Sequence, residues 1–563
     1  NGYGEQPLYS CAVTLYDEND TCTDKNTQRI GLRTLTVSRD KDQWGEEFCL
    51  INNGVKIFAM GANYIPEDQI VTRCNEAKTR KLLADCKAAN YNFIRVWGGG
   101  YYPDEYFYDY CDENGIIVWQ DFMFACSAYL LTEEFEETVR GEVRDNVIRL
   151  RNHTSLGLWC GNNEIESAWE YWGLPEDEEA KRDYLIIFEE IIPQVLKEYD
   201  PCENTFYWPS SPSSGGGFKD ASSNHAGDMH YWDVWHNFKP IEAFREFYYR
   251  FCSEYGFESL PDIKTCHAFA DETKGDFDLC SPVMEAHQKC VQGNEKIMYY
   301  LAQMVRYPYD FKQLIYSSQL VQADCIRSNV EHMRRARGRC MGSAYWQVND
   351  SNPVISWSSI DYFGRWKGLH YYAKRFYAPC LISCDDTDRK KPVLNISNER
   401  MTAFEGIVKW TLRNNKAEIL QSGEKSVSVP TLTAQNVLTI DLSAELKSRT
   451  DPREKYLEYS IIENGKVLSF GTTLFVRPKE FTFLEPAITY GISESEDKFA
   501  LTFCAENYAK SVCLSLKTAD CVFSDNWFDI HGKEPVTIMI DKASLSRKMT
   551  AQELSEELEI MHN

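Results

Sequence analysis

The chain has 563 residues, more than one hydrophobic core accommodates, so several domains are expected. Hydrophobic residues make up 43% and charged residues 26%, which is typical of a globular protein, and the formal charge is -25. Nucleic acids and anionic membranes require a basic surface, and no apolar run approaches the length of a membrane span, so we expect neither partner.

Residues 1–50 predict short β-strands separated by turn residues, at about 8–9, 13–16 and 32–37. This region is too short for a complete sandwich, so we expect it to be the last strands of one that begins upstream. Because Asn1 is not an initiator methionine, we also expect an amino terminus that has been cut, with any targeting segment lost.

Residues 51–379 alternate between predicted strands and amphipathic helices. One helix shows a stripe at every fourth residue, through Phe135, Val139, Val143 and Val147. The predicted strands are 57–62, 92–97, 116–122, 156–160, 206–209, 229–232, 251–255 and 341–348. This alternation predicts a central (β/α)8 TIM barrel. An open doubly wound sheet is the alternative, but the glycine cluster 98–100 lacks the spacing of a dinucleotide loop.

Beyond the barrel, residues 380–480 and 481–563 have the short-strand spacing of β-sandwich (immunoglobulin-like) domains, with a helix expected near 550–560. The predicted fold class is therefore multidomain, α/β followed by all-β.

The 20 cysteines do not form a recognisable framework. No C-x-x-C pair occurs, and many cysteines lie within apolar runs. This pattern favours buried, reduced thiols over disulfides or a zinc site, and it predicts a cytoplasmic location. We expect no metal and no cofactor.

Two glutamates are the candidate catalytic residues, because each follows a predicted barrel strand. Glu164 ends the segment LGLWCGNNE, and Glu254 lies in RFCSEYGF. Two carboxylates at the carboxyl ends of barrel strands are what glycoside hydrolysis requires: one protonates the leaving oxygen, and the other attacks or stabilises the oxocarbenium-like carbon. For Glu164 the alternative is a solvated loop, and for Glu254 it is a buried salt bridge, for example to Arg250.

Polar and aromatic neighbours extend this candidate site. Asn163 can donate a hydrogen bond to a sugar 2-hydroxyl. Arg95, within an apolar strand, must be paired, and beside Glu254 it would keep that carboxylate ionised. Asp121 is equally consistent with substrate contact and with a scaffold role. His230 is the one histidine that we place near the site.

Three tryptophans at predicted strand ends are expected either to pack or to form a platform for a sugar ring: Trp97, Trp232 and Trp346. The serine- and glycine-rich segment 209–217 predicts a flexible loop facing the substrate.

Six segments of the sequence resemble β-mannosidases of glycoside hydrolase family 2. The resemblance spans residues 52–379 and rests on FIRVWGGGYYPDEYFYDYCDENGIIVWQDFMFAC, LWCGNNEIESAWEYW, YWPSSPSSG, HYWDVWH, SEYGFESLP and YWQVNDSNPVISWSSIDYFGRWKGLHYYAKRFYAP. It implies an exo-acting, retaining β-mannosidase that releases terminal non-reducing β-D-mannose from oligosaccharides by double displacement.

The same resemblance implies roles for particular residues. Glu164 would be the acid/base and Glu254 the nucleophile, with carboxyl groups about 5–5.5 Å apart. Asn163 would bind the 2-hydroxyl. Trp97, Trp172 and Trp346 would line the terminal-sugar subsite.

One departure from the family pattern is expected to matter: members of the family carry an amino-terminal jelly-roll domain, which we expect this chain to lack. We therefore expect an incomplete pocket and an exposed apolar face. The alternatives are another family 2 exo-β-glycosidase, such as an exo-β-glucosaminidase or a β-galactosidase-like enzyme, and a catalytically incomplete glycan-binding fragment.

Overall fold

The structure of the protein, a computed structural model, describes residues 3–173, 177–202 and 205–563. These residues form two compact units. The first contains Asn1–Trp232, Glu246–Tyr255 and Arg337–Gln347, and the second contains Asp233–Arg245, Gly256–Ala336 and Val348–Asn563. The units do not follow the linear domain boundaries expected from the sequence, which remain a prediction.

The first unit begins with seven short strands. They are β1 (Tyr9–Tyr16), β2 (Cys22–Ile30), β3 (Leu35–Ser38), β4 (Lys41–Asp42), β5 (Gly45–Glu46), β6 (Cys49–Asn52) and β7 (Val55–Ile57). β1 and β2 form an antiparallel hairpin, and β3, β6 and β7 form a three-stranded sheet. Strand β2 was not predicted, because its residues are almost all exposed and show no hydrophobic alternation.

An eight-stranded parallel sheet follows in the same unit. Its strands are β8 (Ala59–Tyr64), β9 (Phe93–Val96), β10 (Ile117–Asp121), β11 (Leu156–Cys160), β12 (Tyr207–Trp208), β13 (Met229–His230), β14 (Cys252–Glu254) and β15 (Gly342–Tyr345). The strand order is β12-β11-β10-β9-β8-β15-β14-β13, and an isolated bridge between Ser213 and Asp228 links the segments beside the two edge strands. All eight predicted strands are present, which confirms the barrel-type fold.

Among the described residues of this unit there are six α-helices: α1 (Glu76–Ala88), α2 (Glu105–Asn114), α3 (Glu133–Leu150), α4 (Ile165–Tyr171), α5 (Glu178–Leu185) and α6 (Ile192–Tyr199). In α3 the predicted stripe is largely buried, through Val139, Val143 and Val147, and the Thr132 side chain caps the amino terminus by accepting from the Phe135 N–H.

The second unit contains the remaining helices. They are α7 (Ile263–Cys266), α8 (Pro282–Ala286), α9 (Gly293–Met304), α10 (Phe311–Arg335), α11 (Gly368–Phe376), α12 (Asp451–Glu454) and α13 (Ala551–Glu557). The helix expected near 550–560 is α13, but it ends early and is followed by a strand.

The strands of the second unit are all antiparallel. They are β16 (Cys380–Asp385), β17 (Val393–Asn398), β18 (Phe404–Asn414), β19 (Ile419–Val429), β20 (Thr433–Thr439), β21 (Lys455–Glu463), β22 (Lys466–Leu474), β23 (Thr489–Glu494), β24 (Lys498–Cys504), β25 (Tyr508–Leu516), β26 (Phe528–His531), β27 (Val536–Asp541) and β28 (Leu558–Met561). Sheet β16-β17-β20 and sheet β19-β18-β21-β22 share one apolar core, as expected for a sandwich. Sheets β23-β24-β27 and β26-β25-β28 follow.

An apolar layer fills the interior of the eight-stranded sheet towards the amino-terminal ends of its strands, and the polar residues lie above it, towards the carboxyl ends. Phe93, Trp119 and Phe251 belong to this buried cluster. Because side chains alternate along a strand, Arg95 lies on the same face as Phe93, and Asp121 on the same face as Trp119. Strand alternation therefore places charged groups directly above the aromatic layer.

All 20 cysteines are free in the part of the chain that the structure describes, and Cys160 and Cys252 are fully buried. Among the described residues, no helix is long and apolar enough to cross a membrane.

Candidate active site

Glu164 and Glu254 lie together at the carboxyl ends of two strands. Glu164 follows β11 as the N-cap residue of α4, with a left-handed φ of 63°, and its N–H donates to the Ser211 carbonyl at 2.8 Å. Glu254 is the last residue of β14. One oxygen of each carboxylate and one ring nitrogen of His230 all lie within 4.8 Å of one another. Glu164 does not lie in a solvated loop, since its side chain is only 13% exposed. Glu254 does form a buried ion pair, but with Arg95, because Arg250 pairs with Asp42.

Arg95 lies beneath the pair and bonds to Glu254. Its Nη1 donates to Glu254 Oε2 at 3.0 Å, and its Nη2 donates to Asp121 Oδ2 at 2.8 Å and to Asn163 Oδ1 at 2.7 Å. Although burial opposes the charge, Asp121 and Glu254 raise the pKa of Arg95 above its ordinary value. The guanidinium is therefore a permanent positive charge under the nucleophile candidate.

Arg95 and Asp121 have no direct path to a ligand, because both side chains are fully buried. Asp121 also accepts from the Gly98 N–H at 3.0 Å and from Trp119 Nε1 at 2.8 Å. Substrate contact by either residue stays a prediction. Of the two roles considered for Asp121, its burial favours the scaffold.

His230 and Trp232 connect β13 to the two carboxylates. His230 Nδ1 lies 2.8 Å from Glu164 Oε1 and 3.7 Å from Glu254 Oε2. Trp232 Nε1 donates to Glu254 Oε1 at 3.2 Å. Burial lowers the pKa of His230 to about 4, so the imidazole is neutral at pH 7.

Burial also governs the protonation of the two glutamates. It raises the pKa of Glu164 to about 7 and that of Glu254 to about 7; the charge of Glu164 adds to the rise at Glu254, and Arg95 opposes the rise at both. Two carboxyls this close titrate as a coupled pair. Because only Glu254 bonds to the Arg95 guanidinium, the anion is favoured there and the shared proton is favoured on Glu164.

Asn163 adjoins both Arg95 and Glu164. Its Oδ1 accepts from Arg95, and its Nδ2 lies 3.4 Å from Glu164 Oε2. The Cys126 thiol also approaches Glu164 Oε2, at 3.6 Å, and burial raises the pKa of this thiol to about 12. Glu164 thus has weak donors at one oxygen and a histidine at the other.

The predicted tryptophans occupy two places. Trp97 and Trp346 form an edge-to-face pair with ring centroids 5.0 Å apart. The backbone N–H of Trp346 donates to the carbonyl of Tyr255, the residue after Glu254, at 2.7 Å. Trp172 lies at the end of α4, and 51% of it is exposed. Trp97 and Trp346 thus form one aromatic surface, to which the structure shows no contact from Trp172.

The serine- and glycine-rich segment differs from the predicted flexible loop. Ser210, Ser211 and Ser213 are fully buried, and Ser211 Oγ contacts both Asp228 and His230. Sequence reasoning also missed Asn63, which accepts from Arg95 Nη1 at 3.0 Å. Its position in the first barrel strand, within the run AMGANY, was the available signal.

Glu164, His230 and Glu254 offer three donor atoms that are close enough to bind a cation. The guanidinium of Arg95 opposes this, because it already supplies a positive charge to Glu254. A second group, Asp109, Asp112 and His153, lies elsewhere, and His153 bonds internally to Asp112 at 2.7 Å.

Comparisons with known proteins agree with this geometry. Residues 391–480 match the model of a mannosidase Ig/CBM-like domain, and residues 483–563 match that of an Ig-fold domain. A β-mannosidase B from Aspergillus terreus is 31% identical over 96% of the chain, and one from Aspergillus fumigatus is 35% identical over 74%. The chain spans 66% and 50% of the length of these two relatives.

Solved structures match over the whole chain. A β-D-mannosidase from Dictyoglomus thermophilum is 31% identical, with a TM-score of 0.91, over 100% of this chain and 67% of that one. An exo-chitosanase from Amycolatopsis orientalis, 16% identical with a TM-score of 0.75 over 100% and 69%, shares the fold. On the bacterial match, the fungal relatives and the mannosidase-type domains together, the chain belongs to the β-mannosidases of glycoside hydrolase family 2.

Proposed function

We propose that the protein is an exo-acting, retaining β-mannosidase that releases terminal non-reducing β-D-mannose from oligosaccharides. The observation that carries this proposal is the pairing of Glu164 and Glu254, with oxygens within 4.8 Å, in a chain that belongs to the β-mannosidase family. Retaining glycosidases place their carboxyls about 5–5.5 Å apart, whereas inverting enzymes leave a wider gap for water. The spacing therefore favours retention.

In the first step of this proposal, Glu254 attacks the anomeric carbon while Glu164 protonates the leaving oxygen. Arg95 and Trp232 hold Glu254 with charged and neutral donors, and this favours its anion. Burial keeps the proton on Glu164 near neutral pH. In the second step Glu164 takes a proton from water, which then releases mannose from Glu254.

Asn163, Trp97 and Trp346 would recognise the sugar. Asn163 Nδ2 has two long contacts among the described residues, 3.4 Å to Glu164 Oε2 and 3.4 Å to Cys126 Sγ, so it can turn to the mannose 2-hydroxyl. The edge-to-face pair of Trp97 and Trp346 offers an aromatic surface beside the strand end that carries Glu254. We assign Trp172, half exposed, to the mouth of this subsite.

A covalent trap tests the proposal. Incubation with 2-deoxy-2-fluoro-β-mannosyl fluoride should add one fluoromannosyl group, and peptide mapping should place it on Glu254. The matched control is Glu258→Gln, which removes a buried carboxylate four residues away and should leave labelling unchanged. An adduct on another residue, or release of the α-anomer from an aryl β-mannoside, would contradict the proposal.

A further inference from the structure

Asp228 and Ser211 extend the site beneath His230. Asp228 is fully buried and receives four hydrogen bonds. Trp208 Nε1 donates to its Oδ1 at 2.8 Å, and the Ser213 N–H donates to the same oxygen at 3.0 Å. Its Oδ2 receives Ser211 Oγ at 2.7 Å and Ser253 Oγ. All four groups can donate, so both oxygens of Asp228 act as acceptors.

This arrangement fixes the direction of the next hydrogen bond. Ser211 has one hydroxyl proton, and its Oγ also lies 3.0 Å from His230 Nε2 and, more distantly, 3.4 Å from Ser253 Oγ. If that proton pointed to His230, two acceptor oxygens would face each other at 2.7 Å. Ser211 therefore donates to Asp228 and accepts from His230 Nε2–H.

The hydrogen bonds of Arg95 agree with a proton on His230 Nε2. Its Nη1 carries two hydrogens, and these go to Asn63 Oδ1 and Glu254 Oε2, each at 3.0 Å. His230 Nε2, at 3.5 Å, is left without a hydrogen bond from this group. The neutral imidazole then has its proton on Nε2, and its Nδ1 presents a lone pair to Glu164 Oε1 at 2.8 Å.

We propose that Asp228, through Ser211, holds His230 in the Nε2–H tautomer, so that His230 accepts a hydrogen bond from Glu164 and favours its acid form. Asp228 and Ser211 are positioning residues in this scheme, and the proposal rests on the acid/base role of Glu164 given above. When Glu164 loses its proton, the Nδ1 lone pair faces the new anion, which makes Glu164 a stronger base for the second step.

The other groups that face Glu164 are known. Arg95 favours its anion, the negative charge of Glu254 favours its acid form, and Cys126 and Asn163 approach Oε2 as weak donors. Within the part of the chain that the structure describes, the hydrogen-bond partner of Glu164 Oε1 is His230. The tautomer of His230 therefore decides whether that oxygen meets a donor or an acceptor.

Asp228→Asn is a sharp test, because the site fixes how the amide must lie. Trp208 and the Ser213 N–H can only donate, so the amide oxygen must face them and the NH2 must face the two serines. Ser211 then accepts from the amide and donates to His230 Nε2. The imidazole should carry its proton on Nδ1 and donate to Glu164, which favours the carboxylate.

The first readout is the ¹⁵N NMR spectrum of His230, assigned with a His230→Gln sample. We expect the Nε2–H tautomer in the unmodified protein and Nδ1–H in D228N. The second readout is the basic limb of kcat/KM with an aryl β-mannoside, which should move about one pH unit lower. Above that limb, substrates with poor leaving groups should lose about tenfold in rate, and activated substrates should lose less.

Two further variants test whether the limb depends on the direction of the Ser211–His230 hydrogen bond, and not on the charge of Asp228 or on a loss of folding. Ser211→Ala keeps the Asp228 charge but breaks the chain, so it should move the limb the same way. Ser253→Ala removes the other hydroxyl on Asp228 Oδ2 without contacting His230, so it should leave the limb in place. An Nδ1–H tautomer in the unmodified protein, an unmoved limb in S211A, or an equal shift in S253A would overturn the proposal. Because the tautomer is read without substrate, absence of mannosidase activity would refute the proposed function separately.

Discussion

Arg95 connects more of the site than any other side chain described above. It ion-pairs with Asp121 and Glu254 and also bonds to Asn63 and Asn163, with no solvent exposure. Breaking a buried ion pair is strongly destabilising, and removing this arginine would leave two buried carboxylates without a compensating charge. The residue therefore combines a structural role with an electrostatic one, and the two can be separated.

Arg95→Met should lower the free energy of unfolding by about 3–5 kcal/mol, measured by urea denaturation. Because the guanidinium favours the Glu254 anion, its loss should raise the pKa of Glu254 above about 7. Activity that needs this anion is lost as pH falls through that pKa, so the acid limb of kcat/KM should move to higher pH.

The matched control is Arg250→Met, which removes another buried arginine, one paired with Asp42 away from the site. It should lower stability but leave the acid limb unchanged. Equal shifts of the limb in both variants would show that Arg95 acts only through stability.

The residues of the site divide by how visible they are in the sequence. Glu164, Glu254 and Arg95 could be predicted, because each is a charge at the end of, or inside, an apolar strand. Ser211 and Asp228 could not, because a serine- and glycine-rich composition is the same in a mobile loop and in a buried one. Only the fold shows that the Ser211 hydroxyl meets a carboxylate 17 residues later.

At the scale of elements, the strands of the barrel were visible because their apolar runs end in turn residues, whereas the hairpin of β1 and β2 was partly hidden. Strand β2 is polar and exposed, so only its pairing with β1 identifies it as a strand. The hydrophobic pattern of a sequence indicates which residues are buried, whereas a strand that pairs in solvent produces no such pattern.

Two glycines offer a matched comparison at this scale. A Cβ on Gly61, in β8, would lie 1.8 Å from the Phe93 carbonyl oxygen on β9, whereas a Cβ on Gly141, in α3, would meet nothing within 4 Å. Gly61→Ala should therefore lower the free energy of unfolding by about 1–3 kcal/mol. Gly141→Ala should raise it by about 0.5–1 kcal/mol, because alanine favours the helix.

Chemical denaturation of both variants measures these changes. A destabilised G141A, or a G61A as stable as the unmodified protein, would contradict the close packing of β8 on β9 and the open surface of α3.

At the scale of the whole molecule, each of the two compact units contains an apolar core. One includes Phe93 inside the eight-stranded sheet, and the other includes Leu412 between β-sheets. We expect calorimetric unfolding in more than one transition, since two-state behaviour is the property of small single domains. Phe93→Ala should lower the temperature of one transition and Leu412→Ala that of another, with losses of about 3–5 and about 2–5 kcal/mol of stability respectively.

Lowering of a single common transition by both variants would instead show that the units unfold together. Either variant thus serves as the control for the other.

The buried thiols have a practical consequence. Cys160 ends β11, four residues before Glu164, and Cys252 begins β14, two residues before Glu254. Burial raises the pKa of both thiols, so they do not react while these strands remain closed. The rate at which these two thiols are alkylated therefore measures the transient opening of the two strands that carry the carboxylates, without an engineered label.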